Sequence, residues 1–326
     1  MEEKTIKKVN SPKKIVFLCR DFGKIYRGVE SHVEELSKRL AGKYQVKIFS
    51  GKDADNLTKI MNGKFDLVIP TNGRLQALKV SLARFIGGYK VLIAGHAGIG
   101  KDEIWNLLTC PDAYIALTDY ELTWAKKFNL VSRLAKIPNG IDLERFKPGQ
   151  GKIEPELERP VILSVGALEW YKHHDLAIKA VAGLSKGSLL IAGRGSEKNN
   201  LENLGRRELG EKRFKIIERD YDEMPIIYNE SDLFTLPSWD REAFGIVYLE
   251  AMASGLGVVA PDDLSRREII GNAGIFVDVS NTEKYTQAIE EALKKDWTEL
   301  SGKQAAKFSW EKIAGQYEKL LDKILS

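Results

Sequence analysis

Cysteine is scarce in this chain: Cys19 and Cys110 are the only two among 326 residues. A disulfide framework is thereby excluded. Both cysteines lie in or beside apolar segments, which predicts two core thiols in a reducing compartment. Histidine is nearly as sparse. The four include one adjacent pair, His173 and His174, but no Cys/His cluster with zinc-ligand spacing. No apolar run reaches the roughly 18 residues of a membrane span. Met1 to Lys14 is polar and lysine-rich and has no apolar stretch of the secretory kind. Short repeats and low-complexity tracts are also absent. With 43 % hydrophobic and 29 % charged residues, the composition is that of a globular protein. A cytoplasmic protein of two domains of roughly 150 residues is expected.

The charge is unevenly placed. Residues 1–150 carry 26 Lys and Arg against 16 Asp and Glu, a balance of +10, whereas the rest carry 24 against 30, a balance of −6. A basic half suits an anionic partner, including peripheral contact with an anionic membrane at its inner face. Solvated lysines with no partner are the competing reading. One segment sharpens the choice. Arg74 to Lys90 mixes Leu75, Leu78, Leu82, Phe85 and Ile86 with Arg74, Lys79, Arg84 and Lys90. It reads either as a basic amphipathic face for a membrane or as a helix packed on a sheet.

Short β-rich runs alternate with helical patterns from end to end. The first half gives strands at 15–19, 46–49, 65–69, 91–94, 114–117 and 134–137. The second gives strands at 161–165, 189–192, 214–217, 233–236, 258–260 and 275–277. Helix periodicity fills the gaps, as in Val29, Val33, Leu36 and Leu40. Such alternation predicts α/β architecture with two parallel, doubly wound Rossmann-like domains and a cleft between them. Turn formers at Pro138-Asn139-Gly140-Ile141-Asp142 and Pro148-Gly149-Gln150-Gly151 mark the linker. The expected division is 1–148, 149–305 and a terminal helix, 306–326. Ligands of such sheets bind outside the carboxyl ends of the strands, so the chemistry belongs in the loops there.

The most informative run is Pro237-Ser238-Trp239-Asp240-Arg241-Glu242-Ala243-Phe244-Gly245-Ile246-Val247-Tyr248-Leu249-Glu250-Ala251-Met252-Ala253-Ser254-Gly255, after the strand at 233–236. Gly245 lets the backbone approach a ligand, and the first amides of the following helix have no internal partner. Glu242 precedes that helix and Glu250 lies over a turn inside it. Two ionised carboxylates at that separation suit two groups of hydroxyls on one elongated ligand. A capping glutamate and a solvated one are the alternative for either residue alone.

This run resembles the signature of the retaining glycosyltransferases of family 4 and their GT-B-fold relatives, two glutamates separated by seven residues. Other segments match in order over nearly the whole chain. Arg27-Gly28-Val29-Glu30-Ser31-His32-Val33 resembles the glycine-rich turn after the first strand, and Gly95-His96 the histidine at the end of an N-terminal strand. Pro138 to Asp142 resembles the interdomain segment. Leu163-Ser164-Val165-Gly166 with Lys172, and Ala192-Gly193-Arg194-Gly195, resemble the phosphate-side and nucleotide-side loops.

The resemblance implies roles. Glu242 would meet donor-sugar hydroxyls and Glu250 the ribose, while the amides of Phe244, Gly245 and Ile246 would contact the sugar. Lys172 would neutralise the diphosphate, with Gly166 in the loop beside it and the Gly28 amide opposite. His96 would lie near the reacting face of the sugar, and Arg194 and Gly195 beside the nucleotide. The acceptor, whether glycan, lipid-linked or small molecule, would bind mostly to the first domain. No metal or other cofactor is implied, since lysine, helix N-termini and amides stabilise the departing charge. No nucleic acid is implied either.

Two departures stand out. The family has a Gly-Arg pair where this chain has Gly166-Ala167, so one phosphate-bridging guanidinium is missing; Arg194 is the residue placed to replace it. A single Gly28 stands where two glycines are common, with Arg27 beside it. The first departure keeps a second function open, a nucleotide-sugar-binding protein with degraded catalysis. A sugar phosphorylase on the same architecture is a third. Gly95 to Asp102 imitates a phosphate-binding loop, but Asp102 replaces the hydroxyl that would ligate magnesium.

Overall fold

The computed structural model describes residues 11–24, 28–128, 130–131, 133–149, 157–239 and 242–326. Arg27, Asp240, Arg241 and the linker residues Gln150 and Gly151 lie outside the described residues.

Among the described residues, twelve strands form two sheets of six. The first contains β1 (Lys14–Leu18), β2 (Gln45–Phe49), β3 (Leu67–Pro70), β4 (Lys90–Ala94), β5 (Ala113–Ala116) and β6 (Leu134–Lys136). Their spatial order is 2-1-3-4-5-6, and every pair is parallel. The second sheet contains β7 (Val161–Val165), β8 (Ser188–Ala192), β9 (Phe214–Ile217), β10 (Leu233–Thr235), β11 (Val258–Pro261) and β12 (Gly274–Val277). Its order is 12-11-10-7-8-9, again all parallel. Each sheet is buried on both faces because crossover helices cover it, which is why the strands read as continuous apolar runs. Ile15, Val16, Phe17 and Leu18 alternate between the two faces of β1, and all four are buried.

The twelve strands fall where hydrophobic patterning predicts them, with shifts at the ends. The largest is at β3, which starts at Leu67 rather than Phe65. Lys64 turns the chain with φ +47°, and the Phe65 ring folds back against Gly63. Cys19 is a core thiol at the end of β1, but Cys110 is exposed and corrects the expectation of two. It follows the Lys101–Leu108 helix with φ +48°, and that turn directs it outward despite its apolar neighbours.

The chain crosses between the halves twice. After β6 it passes through Asn139 to Ile141 into the second domain. It returns at Ser309, where the Ile141 amide donates to the Phe308 carbonyl (2.9 Å) and the Trp310 amide to the Ile141 carbonyl (3.3 Å). The helix Trp310–Leu325 then buries Trp310, Ile313, Tyr317, Leu320, Leu321 and Ile324 in the core of the first sheet, against the Gly28–Leu40 helix. Glu268 of the second domain ties down β6 and the helix after β5. It accepts from the Asp119 amide at 2.7 Å and from Lys136 Nζ at 3.0 Å.

Candidate functional site

In each sheet the strand order reverses beside the first strand. These switch points lie between β1 and β3 in one domain and between β7 and β10 in the other. Crossovers on either side leave by opposite faces, which opens a crevice at the carboxyl ends of the strands. The loops after β7 and β10 therefore define one wall of the site.

The two meet through Lys172 and Glu242. The Lys172 ammonium is paired with Glu242 Oε2, and their side chains are only 15 % and 11 % exposed. Ser238 Oγ donates to the Tyr171 carbonyl at 3.3 Å, a second tie between the same loops. His173 adopts a left-handed φ of +55° and stacks its ring on Trp239 with centroids 4.0 Å apart. The next residue, His174, is buried, with Nδ1 3.0 Å from Ser164 Oγ on β7.

Arg266, from the Leu264–Ile270 helix, holds the far side of the β10 loop. It is 3 % exposed, and its Nη2 donates to the carbonyls of Ser238 (3.1 Å) and Glu242 (3.3 Å). The Ser238 carbonyl is a buried acceptor and that of Glu242 a part-buried one, and Arg266 supplies a donor to each. Nothing in the sequence separates Arg266 from any other arginine on a helix, and only the fold reveals it.

Gly245 caps the Ile246–Ala253 helix with φ +81°, a conformation that favours glycine. Phe244 is buried below it. One turn into that helix, Glu250 is buried and accepts from the Tyr228 hydroxyl at 2.6 Å. Burial pushes its carboxyl up to about 7, against the lowering effects of Tyr228 and the Arg145 charge. Glu242 and Glu250 thus stand at different depths of one crevice. Tyr228 was not foreseen, because only the fold brings the preceding helix beside Glu250.

The glycine loops after β7 and β8 are laced together. The Gly166 amide donates to the Ala192 carbonyl (3.1 Å) and the Leu168 amide to the Arg194 carbonyl (2.9 Å). A Cβ on Gly193 would fall 1.9 Å from the Gly166 carbonyl oxygen, and one on Gly195 2.4 Å from that of Leu168. Both positions require glycine for close approach. Arg194 pairs its 65 % exposed guanidinium with Glu218 (2.9 Å) and Asp220 (3.9 Å).

The opposite wall belongs to the first domain. Gly28 begins the Gly28–Leu40 helix, and a Cβ there would lie 3.8 Å from the Ile246 side chain at the start of the Ile246–Ala253 helix. Two helix N-termini, with unpaired amides and partial positive charge, therefore approach each other. The β4 loop closes in as well, since a Cβ on Gly98 would meet the Ala243 Cα at 3.2 Å. His96 is half-buried in that loop, and desolvation pushes its imidazole down to about 4, so it is neutral at physiological pH. Its ring meets that of His32 edge-on at 4.7 Å, and His32 Nε2 lies 3.2 Å from the Tyr317 hydroxyl. His32 is thus a buried support of His96.

Under this loop lies a polar cluster the sequence did not disclose. Tyr114 on β5 places its hydroxyl 3.0 Å from Glu103 Oε2 and 2.6 Å from Glu121 Oε1. Glu103 also accepts from the Ala97 amide (3.0 Å) and Glu121 from the Leu117 amide (2.7 Å). One phenol has one proton to give, so both carboxyls are satisfied together only when one of them is protonated. Burial pushes both carboxyls up, Glu121 to about 8, so the cluster holds a shared proton near neutral pH. Gly95 must be glycine here, as its Cβ would sit 1.7 Å from Glu121 Oε1.

A raised carboxyl pKa has a signed consequence. The unfolded chain releases this proton near pH 4.5 and the folded chain near 8, so stability falls as pH rises between those values. Glu121→Gln keeps a donor and removes the titration. Its unfolding free energy should lose less between pH 5 and 8 than that of the wild type, by on the order of 1–3 kcal/mol in chemical denaturation. Equal pH slopes would place the proton elsewhere.

Among the described residues, no group of three or more His, Cys, Asp or Glu side chains is arranged to hold a metal ion, and no helix is long and apolar enough to cross a membrane.

Comparison with known proteins gives a consistent answer. Residues 149–309 match the family described as glycosyl transferases group 1. The chain is 29 % identical over 214 residues to a D-inositol 3-phosphate glycosyltransferase of Corynebacterium glutamicum, covering 58 % of this chain and 51 % of that one. It is 27 % identical over 251 residues to a GDP-mannose-dependent alpha-(1-6)-phosphatidylinositol monomannoside mannosyltransferase of Mycolicibacterium smegmatis, covering 67 % and 64 %. The chain spans about half the length of the first curated relatives it matches. Among solved structures, sucrose-phosphate synthase from Thermosynechococcus elongatus superposes with a TM-score of 0.80 at 19 % identity, covering 96 % of this chain and 99 % of that one. HepE of Anabaena in complex with UDP gives 0.77 at 18 %, covering 95 % and 100 %. At such identities the likeness is one of fold, two facing Rossmann-like domains. Residues 149–309 thus carry a likeness to the group 1, family-4-like glycosyltransferases, and the chain as a whole has the two facing Rossmann-like domains of GT-B architecture.

Proposed function

We propose that the chain moves a sugar from a nucleoside-diphosphate sugar to an acceptor hydroxyl, with retention of configuration and without a metal. The observation that carries this reading is the Lys172–Glu242 pair at the β7–β10 switch point, with Glu250 one turn deeper and the start of the Gly28–Leu40 helix opposite. A diphosphate arriving there competes with Glu242 for the Lys172 ammonium and frees the carboxylate to accept from sugar hydroxyls. Glu250 accepts from the ribose, and the amides of Phe244, Gly245 and Ile246 face the sugar. The bond from the anomeric carbon to the phosphate oxygen breaks as the acceptor oxygen bonds to that carbon from the same face. The acceptor proton passes to the leaving phosphate. Neutral His96 orients the sugar by hydrogen bonding, and it is not a counter-charge. Printed descriptions of relatives agree with this class of donor: HepE is bound to UDP-glucose in one structure, and the mannosyltransferase is GDP-mannose-dependent.

The two glutamates should separate by substitution. Glu250→Ala removes a ribose acceptor and should weaken the free nucleoside diphosphate by ~1.5–3 kcal/mol, roughly tenfold or more by titration calorimetry. Glu242→Ala should spare that affinity and impair transfer. Equal damage from both would break the division of labour. Transfer should also survive excess EDTA; complete loss restored by magnesium or manganese would reject the metal-independent mechanism.

A second reading rests on Ala167. The phosphate-bridging guanidinium of the family is missing there, and Arg194 is engaged by Glu218 and Asp220. Donor binding with neither transfer nor hydrolysis would favour a binding protein with degraded catalysis.

A further inference from the structure

The helix Arg74–Gly87 presents its apolar residues to solvent. Its buried side chains are Gln76, Ala77, Val80 and Ser81, whereas Leu75, Leu78, Leu82, Phe85 and Ile86 are 62 %, 41 %, 61 %, 79 % and 85 % exposed. At helical spacing those five fill one arc of about 100°, opposite the buried four. The adjacent Lys101–Leu108 helix adds Trp105 and Leu108, both about half exposed, and an Arg74–Asp102 ion pair (3.4 Å) joins the starts of the two helices. Scattered exposed apolar residues are ordinary, but seven on neighbouring helices form a patch of the kind that marks an interaction surface. Cations flank it. Arg74 and Lys79 lie at opposite edges of the arc, and exposed Lys101 opens the second helix.

We propose that this face docks on an anionic lipid bilayer. Leu82, Phe85, Ile86 and Trp105 enter the boundary between headgroups and acyl chains, while Arg74, Lys79 and Lys101 meet lipid phosphates. Charge selects this occupant over a second copy of the chain, because self-association here would bring together two halves that each carry +10. Both helices follow the carboxyl ends of β3 and β4, the edge that also carries His96 and the Gly98 approach to Ala243. Docking by this flank holds the first domain, whose loops form one wall of the crevice, at the membrane surface and favours an acceptor hydroxyl carried by a lipid headgroup. That last clause alone rests on the proposed transferase activity.

The test is vesicle co-sedimentation of the full chain without any nucleotide. Equimolar phosphatidylcholine–phosphatidylglycerol vesicles should bind it at least about tenfold better than phosphatidylcholine alone, and added salt should weaken the binding. The double variant Phe85→Ser, Ile86→Ser alters only exposed side chains and should keep the wild-type melting curve while losing about tenfold or more of the binding. Lys79→Glu should weaken binding to the anionic vesicles alone. Failure to bind either vesicle, or binding indifferent to the double variant, overturns the proposal. So does concentration-dependent dimerisation in sizing that the double variant abolishes, which would assign the face to a second copy. A nucleoside diphosphate titration of the same sample keeps the two readings apart, since it succeeds or fails independently of the vesicles.

Discussion

Lys172→Ala should lower sugar transfer by ~10²- to 10³-fold, the loss expected when a preorganised charge is withdrawn from a leaving group. Lys172 is the cation paired with Glu242 at the floor of the crevice, and both groups are largely screened from water. Low exposure makes the charge effective against a diphosphate, because the surrounding dielectric is low. The defect should depend on the ligand. On the proposed roles a nucleoside monophosphate would rely on Glu250 and the ribose contacts, so its affinity should change by less than about threefold, whereas a diphosphate should lose roughly tenfold or more. Substitution also strands Glu242 without its partner, so some stability is lost too. Circular dichroism melting must therefore accompany the kinetics. Normal turnover in a folded Lys172→Ala protein would move the phosphate to another loop.

Arg266→Met should destabilise the protein by ~2–5 kcal/mol. Methionine roughly fills the volume, but it strips the donor from the buried Ser238 carbonyl and the part-buried Glu242 carbonyl, and removes an ion-pair partner of Asp263 at 3.4 Å. Each orphaned acceptor costs ~1–3 kcal/mol. At ~2–4 °C per kcal/mol, the melting temperature should fall by roughly 5–15 °C. Because Arg266 fixes the backbone on which Glu242 is mounted, transfer measured well below the melting temperature should also fall, while Glu250-dependent nucleoside binding persists. Arg266→Lys should rescue little, since one ammonium does not reproduce the planar fork. A variant with wild-type melting and transfer would make Arg266 a passive filler.

The fold was legible because parallel strands covered on both faces are written as short, continuous apolar runs, and β7 with its all-buried Val161 to Ser164 shows the pattern. The Lys172 and Glu242 loops were singled out through family likeness, and the fold adds that the two side chains are joined. What sequence could not reveal depends on tertiary neighbours. Arg266 acts from a helix 24 residues beyond Glu242, and Tyr228 reaches Glu250 across 22 residues. The Glu103–Tyr114–Glu121 cluster looks like three ordinary polar positions until the fold buries them together. Cys110 misled for the complementary reason: apolar neighbours in sequence do not bury a residue that a left-handed turn directs outward. Arg194 was singled out from loop likeness and charge, and the fold adds that Glu218 and Asp220 pair with it.

The proposed donor site at the β7–β10 switch point is tested most directly by melting the protein against a panel of nucleotide sugars, with wild type and the Lys172→Ala, Glu250→Ala double variant run side by side. A ligand at 100 times its dissociation constant adds ~2.7 kcal/mol of stability, a shift of several degrees. At least one nucleoside-diphosphate sugar should raise the wild-type melting temperature by that amount, and the same concentration should leave the double variant unmoved relative to its own baseline. Equal shifts in the two proteins, or no shift across the panel, would contradict the assignment of this crevice as the donor site.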